Sequence, residues 1–530
     1  MAHLMHTVGS RSLRNIDRTC LTATIAFIGF VLYVSLYIPS NMDEFIHYHR
    51  LACWAYPESV AHIFREGCNA YPAKLFKFEF NRTYSYSGVV SSLIFAPFFY
   101  ALAEPISHYI YGALCLIIFA LLLAKAFNFE LKTTLVPLLY FPLLFQILHD
   151  TGPIRIALLS YAILIFTVYK IFSRTTSPFV KICLIMISSF FSLLAIDDKP
   201  FFLYLVPSIF LIALGNAIYR STASSTIQFY KLEFKLPNVS KSSCFLFAVL
   251  LFFIFSIFVV YLGLTRVWEV GSKDTFPYII HLMHQSAPSY TFLQELNLIG
   301  TYLFSPVVFT SRIYQLTTGE LAISAAFFVP VLYFIFSYVK KYRSSLFYFL
   351  IISLVILVAI FCYGRKTWTG HHFIFLHIPI IIALMHYANK NATALKGILI
   401  SLSVVCIASL FQLHFSQEAT HSDRNRNDIF KYLQSESIAM NSIINISSWG
   451  AYYTQSLFGD KSQVVTFIDP LNRPDAEELI KIQQRLSRKF ILNVCDSCTA
   501  AQVAEVFNGK KITRVGPSSS TWLIWQISDH

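Results

Sequence analysis

Twelve apolar runs, most of them close to twenty residues long, divide the first 414 positions of this chain. They fall near 21–38, 88–103, 106–124, 133–149, 154–173, 179–196, 200–218, 244–264, 321–339, 346–362, 372–388 and 396–413, with a weaker run over 297–310. An α-helix rises ~1.5 Å per residue, so about 20 residues cross the ~30 Å hydrocarbon layer of a bilayer. Backbone polar groups in lipid must bond within their own segment, so runs of this length read as helices. Composition agrees: 56% of the 530 residues are hydrophobic and only 13% are charged. A soluble fold with so thin a charged coat would leave its apolar surface in water, and a disordered chain would carry far less of it. The expected fold is an all-α polytopic transmembrane bundle of about 11–13 apolar segments.

Charge sets the orientation. The net charge is +13, yet 415–530 is neutral, with 12 basic and 12 acidic residues, so the excess lies in 1–414. No clustered basic face on a soluble fold is present, and nucleic acid is not an expected partner. Arg11, Arg14 and Arg18 precede the first run without a small-residue cleavage site, which reads as a retained signal anchor behind a cytoplasmic N-terminus, 1–20. Arg220, Lys231, Lys235 and Lys241, then Lys340, Lys341 and Arg343, then Lys390 and Lys396, sit in further loops. All are cytoplasmic provided that 297–310 and one run between 88 and 149 fail to cross fully. The Glu104-Pro105 break and the short 133–149 run are the candidates. A multi-pass domain over 21–414 then turns a large loop, 39–87, to the extracytoplasmic side. Asp150, 197–199, 265–296 and 363–371 share that side.

Beyond 415 the periodicity shortens. Strands are expected at 442–447, 463–468, 489–494, 511–515 and 521–527. Helices are expected at 425–436, 450–458, 474–488 and 499–507. The alternation predicts a soluble extracytoplasmic α/β domain over 415–530. Cys20, Cys115, Cys183, Cys244, Cys362 and Cys406 read as packing residues. Cys53 and Cys68 share one polar loop, and Cys495 and Cys498 form a CxxC that is either a structural disulfide or two reduced thiols. Asn81, Asn238, Asn391 and Asn445 begin glycosylation sequons, which matter only in a eukaryotic secretory membrane.

Four polar clusters stand where apolar runs end. Asp43 and Glu44 follow the first run, with His47 one helical turn past Asp43 and Arg50 three residues further. A carboxylate at a low-dielectric boundary suits proton abstraction, and neighbouring cations suit an anionic leaving group. Asp150 and Arg155 bracket a Thr-Gly-Pro turn, where Asp150 is a second candidate carboxylate and Arg155 a candidate phosphate ligand. Asp197, Asp198 and Lys199 make a third turn. Arg365, Lys366, His371 and His372 lie between two long runs, among glycines that allow close backbone approach. Each cluster has a plainer reading as a solvated interfacial turn.

Taken together, NMDEFIHYHRLACWAYP after one span, FQILHDTGPIRIALL after the fourth apolar run, the large first loop and the α/β tail resemble the GT-C superfamily of integral-membrane glycosyltransferases. Protein O-mannosyltransferases and the lipid A aminoarabinose transferase belong to that group. The resemblance implies a hexosyl- or pentosyltransferase that takes a sugar from a polyprenyl-phosphate donor to a lipid, glycan or protein acceptor. It implies Asp43 as the base of an inverting step, with Glu44 and Asp150 beside it. Arg365, Lys366 and His371 would neutralise the departing phosphate. Fixed cations can serve a monophosphate leaving group without metal, while Asp43, Asp150 and His47 form a ligand set that would suit Mn²⁺. Loop 45–87 is expected to form amphipathic helices on the bilayer above the site. The membrane implied is the bacterial inner membrane first and the endoplasmic reticulum second. A transporter or lipid flippase, and a catalytically silent relative, are the competing readings. Transporters place charges mid-span and show two related halves, whereas these acids sit at span ends.

Overall fold

The computed structural model describes residues 18–37, 71–75, 78–82, 94–95, 97–98, 101–102, 106–149, 154–173, 175–198, 202–220, 225–229, 232–236, 241–267, 292–304, 318–342, 345–363, 370–415, 435–437, 443–446, 466–468, 491–495, 499–506, 511–515 and 523–528. At the ends of several helices and through the hairpins, the backbone alone is described.

The chain is a multi-pass integral membrane protein. Its helices are α1 (Arg18–Tyr37), α2 (Ile106–Phe127), α3 (Leu135–Leu139), α4 (Phe141–His149), α5 (Arg155–Phe172), α6 (Pro178–Asp198) and α7 (Phe202–Arg220). They continue as α8 (Lys241–Val267), α9 (Phe292–Phe304), α10 (Thr318–Lys341), α11 (Ser345–Tyr363), α12 (His377–Lys390) and α13 (Ala392–Phe415). Among the described residues, seven helices are long and apolar enough to cross a membrane: α1, α2, α5, α6, α10, α12 and α13. The α3–α4 pair makes an eighth span if its two halves count as one.

Among the described residues, that pair holds the one bent break inside an expected run. It bends by 73° at Tyr140, which is extended at φ −72°, ψ 96°. Pro142 lacks the N–H that would carry the helix ladder through this point, so α3 ends and α4 restarts. The short 133–149 run is therefore a bent segment, as its length suggested.

The helices are apolar all round, as lipid demands. On α1, Ala23, Phe27, Phe30 and Val34 are buried, while Leu21, Ile25, Ile28 and Leu32 face outward. On α13, Leu395, Leu399, Leu402 and Cys406 face the bundle, and Ile400, Val404, Ile407 and Phe411 face outward. Hydroxyls inside these helices bond back one turn, as Thr22 does to the Arg18 carbonyl at 2.9 Å and Thr24 to that of Cys20 at 2.8 Å. Others bond across helices. The Tyr161 hydroxyl of α5 lies 3.0 Å from Ser208 Oγ of α7, which lies 2.5 Å from Ser353 Oγ of α11. Gly215 permits the close approach of α7 to α11, since a Cβ there would stand 2.5 Å from that of Phe349.

Helix ends are built locally. Asn128, at φ 53°, closes α2 in the left-handed conformation; Phe129 N–H bonds the Ala124 carbonyl at 2.8 Å and Asn128 N–H that of Lys125 at 3.3 Å. Asn391 caps α13, its Oδ1 accepting from the amides of Thr393 (3.0 Å) and Ala394 (3.1 Å). That amide side chain belongs to one of the sequons, so this Asn is engaged in a helix cap.

Two segments differ from expectation. In loop 45–87, expected to form amphipathic helices, β1 (Tyr71–Leu75) pairs antiparallel with β2 (Phe78–Arg82). The register pairs Ala73 with Phe80 and Leu75 with Phe78 in one row, and Lys74 with Glu79 in the other. The Phe-Glu-Phe alternation has the two-residue period of a strand, which outweighs the loop's aromatic content as a helix signal. A second hairpin, β3 (Ser225–Phe229) with β4 (Leu232–Leu236), joins α7 to α8. The remaining members of loop 45–87 lie outside the described residues.

The C-terminal part carries β5 (Ile443–Ile446), β6 (Thr466–Ile468), β7 (Ile491–Cys495), α14 (Ala500–Val506), β8 (Lys511–Val515) and β9 (Leu523–Ser528). The sheet order is β6-β5-β7-β9-β8, parallel from β6 to β7 and antiparallel beyond. This is the expected α/β architecture, with each expected strand and helix 499–507 in place. The other expected helices, except for 435–436 at the end of the first, lie outside the described residues.

Candidate active site at one end of the bundle

The helix ends sort into two sets. One end holds the α2–α3 turn, where the Glu130 amide donates to Asn389 Oδ1 of α12 at 2.7 Å. It also holds Asn216 of α7, bonded to the Ala126 carbonyl at 2.8 Å, and Lys181 and Ser243, both donating to the Ile171 carbonyl at the end of α5. There Tyr338 of α10 bonds His386 Nδ1 of α12 at 2.9 Å. This end collects Lys125, Lys132, Lys170, Lys181, Lys340 and Lys390, with Glu130 beside Lys132 at 2.6 Å. It is the basic face that the sequence assigns to the cytoplasm.

At the opposite end lie the C-terminal ends of α4, α6 and α11 and the N-terminal ends of α2, α5, α7 and α12. Phe361 at the end of α11 meets Phe373 in the 3-10 segment Gly370–Leu376, with ring centroids 5.0 Å apart. That segment packs on α4 and on α11, and Phe375 stacks on Tyr161 at 6.1 Å. Tyr140 at the α3–α4 bend bonds His377 Nδ1 at 2.7 Å, both side chains fully buried.

Five of the predicted site residues, Arg155, Asp197, Asp198, His371 and His372, are described at this second end. Asp150 follows α4, Asp197 and Asp198 are the last residues of α6, and His371 and His372 lie within the 3-10 segment, where their backbone is described. Asp43, Glu44, His47, Arg50, Asp150, Lys199, Arg365 and Lys366 lie outside the described residues. So do Cys53, Cys68 and Cys498. Among the described residues no three His, Cys, Asp or Glu side chains stand together to hold a metal ion. The expected ligands Asp43, Asp150 and His47 lie outside that set.

Arg155 is fully described, and its surroundings differ from those expected of a phosphate ligand. It is 1% exposed. Its Nε–H donates to the Ile147 carbonyl at 2.8 Å and its Nη2 to that of Leu148 at 2.5 Å. Its Nη1 lies 3.4 Å from His108 Nδ1, and its guanidinium carbon stands 5.2 Å from the centre of the Tyr111 ring. Phe95 closes this knot, edge-on to His108 at 5.7 Å and tilted on Tyr111 at 5.4 Å. Because a guanidinium only donates, His108 accepts through Nδ1, and a neutral ring carries its proton on Nε2. Burial of this size follows from the α4 carbonyls, which have no further helix to bond and present negative dipole ends to the cation.

His108 and Tyr111, in PISHYIYG at the start of α2, are polar groups of this end that the sequence reading did not single out. A histidine one turn inside an apolar run was the signal, because ionisable groups at membrane depth rarely lack a role.

Two crystal structures of ArnT from Cupriavidus metallidurans share this architecture. The apo form gives a TM-score of 0.56 at 9% identity, covering 96% of this chain and 97% of that one. The form bound to undecaprenyl phosphate gives 0.55 at the same identity and coverage. No known family profile matches the sequence, and no curated protein does. The likeness is one of fold, end to end.

Proposed function

We propose that this chain is a membrane glycosyltransferase, moving one sugar from a polyprenyl-phosphate donor to an acceptor on the extracytoplasmic side. The observation that supports the reading is the sorting of helix ends: Arg155, Asp197, Asp198, His371 and His372 belong to the end opposite the lysines. A fold shared across nearly the whole chain with a protein that has been crystallised with undecaprenyl phosphate supports it. By the charge rule the lysine end is cytoplasmic, so the acids and the C-terminal domain face outward, in a bacterial inner membrane.

In this reading the donor's isoprenoid tail lies in lipid and its phosphate sits at the interface. Asp43 accepts the proton of the acceptor hydroxyl. The acceptor oxygen bonds the anomeric carbon as the carbon–oxygen bond to phosphate breaks, and that electron pair leaves on the phosphate with inversion at carbon. Arg365, Lys366 and His371 offset the charge that develops there. Glu44 and Asp150 orient the acceptor. His47, Arg50, Asp197, Asp198, Lys199 and His372 line the approach.

The test is transfer of labelled sugar from polyprenyl-phosphate donors by the purified chain and by Asp43→Asn. The variant is expected to fold normally and lose about 10²- to 10⁴-fold in rate. Full activity in Asp43→Asn removes the base assignment. A wild-type protein that moves lipid across vesicles and transfers no sugar is a flippase.

A further inference from the structure

We propose that Arg155 is a positioning residue, clamping the last turn of α4 and so setting where the chain leaves that helix for Asp150. The proposal rests on the glycosyltransferase reading, in which Asp150 is one of the working carboxylates.

Arg155 is the first residue of α5, where a cation has the wrong sign for its own helix dipole. Its side chain resolves the conflict by turning back to the C-terminal end of α4, where the sign is right. The planar fork takes two successive carbonyls, Ile147 and Leu148, a geometry that a single ammonium cannot reproduce. Asp150 stands two residues beyond Leu148 in the chain.

The clamp is backed from behind. Gly112 of α2 lies against it so closely that a Cβ would stand 2.6 Å from the Ile147 oxygen and 2.8 Å from Nη2. The Tyr111 ring and His108 Nδ1 lie against it as well. At 1% exposure, with its fork on backbone oxygens, Arg155 acts on a substrate through the turn it holds.

The experiment uses the full chain in nanodiscs, as wild type, Arg155→Lys, Asp150→Asn and the double variant. Hydrogen exchange is read across 141–149, and transfer kinetics are read with a polyprenyl-phosphate sugar. In Arg155→Lys, exchange in the last turn of α4 should rise about 10-fold with the rest of the bundle unchanged. The kcat should fall about 10- to 100-fold with donor KM within about 2-fold, since small misplacements of a reacting group cost rates of this order. The double variant should be no slower than Asp150→Asn, because Arg155 acts through that residue.

Unchanged exchange, or unchanged kcat, or losses that multiply in the double variant, each overturn the clamp. A raised donor KM at constant kcat makes Arg155 a phosphate ligand and overturns it too. If wild type transfers no sugar, the glycosyltransferase reading fails and the exchange result decides the clamp without it. Should Arg155→Lys not fold, Gly112→Ala crowds the same guanidinium and should show the same exchange and kcat signature.

Discussion

The Tyr140 hydroxyl and His377 Nδ1 lie 2.7 Å apart with both side chains fully buried, joining the bend between α3 and α4 to the first residue of α12. His377 directly follows the segment that carries His371 and His372, so the bond ties the bent span to that segment. Phe327 packs edge-on against Tyr140 at 5.2 Å. Tyr140→Phe keeps the ring and removes the bond. It should lower stability by about 0.5–1.5 kcal/mol, read as a lower thermal midpoint in detergent. An unchanged midpoint would show that the pair contributes nothing.

The hydroxyl chain Tyr161–Ser208–Ser353 joins three helices. Hydrogen bonds between membrane helices average about 0.6 kcal/mol, because the separated helices also find partners. A double-mutant cycle on Ser208→Ala and Ser353→Ala should therefore return a coupling of about 0.5–1.5 kcal/mol. Additive losses would mean that the 2.5 Å contact is packing alone.

Asn391→Ala removes the cap that serves two amides of α13, and about 1 kcal/mol of stability should go with it. Asn391→Asp keeps the acceptor and should restore most of the loss. Equal damage from both substitutions would assign the effect to something other than the cap.

Arg365→Glu reverses one of the charges assigned to the departing phosphate. Donor KM should rise at least about 10-fold while the acceptor KM changes little. Equal rises in both would separate Arg365 from the phosphate.

A reporter fused after His530 should register on the extracytoplasmic side. Cytoplasmic signal would invert the orientation and put the acids on the wrong face for this chemistry.

Local chemistry was enough to read much of this molecule in advance. In lipid a helix needs only length and an apolar surface, so the spans were visible from hydropathy, and charge placement told the two ends apart. The last two strands, expected at 511–515 and 521–527, stand at 511–515 and 523–528. The short run at 133–149 was one of two candidates for an interrupted span, and it is bent.

What the linear text does not carry is which distant groups meet. Arg155 and His108 lie 47 positions apart, and Tyr140 and His377 lie 237 apart. Read alone, Arg155 looks like a cation at a polar turn, available to a phosphate. Only the packed bundle turns it back onto two carbonyls and buries it, because a cation at membrane depth must bring its partners from elsewhere in the chain. The same holds for the bend at Tyr140, whose direction is decided by the helices packed around it.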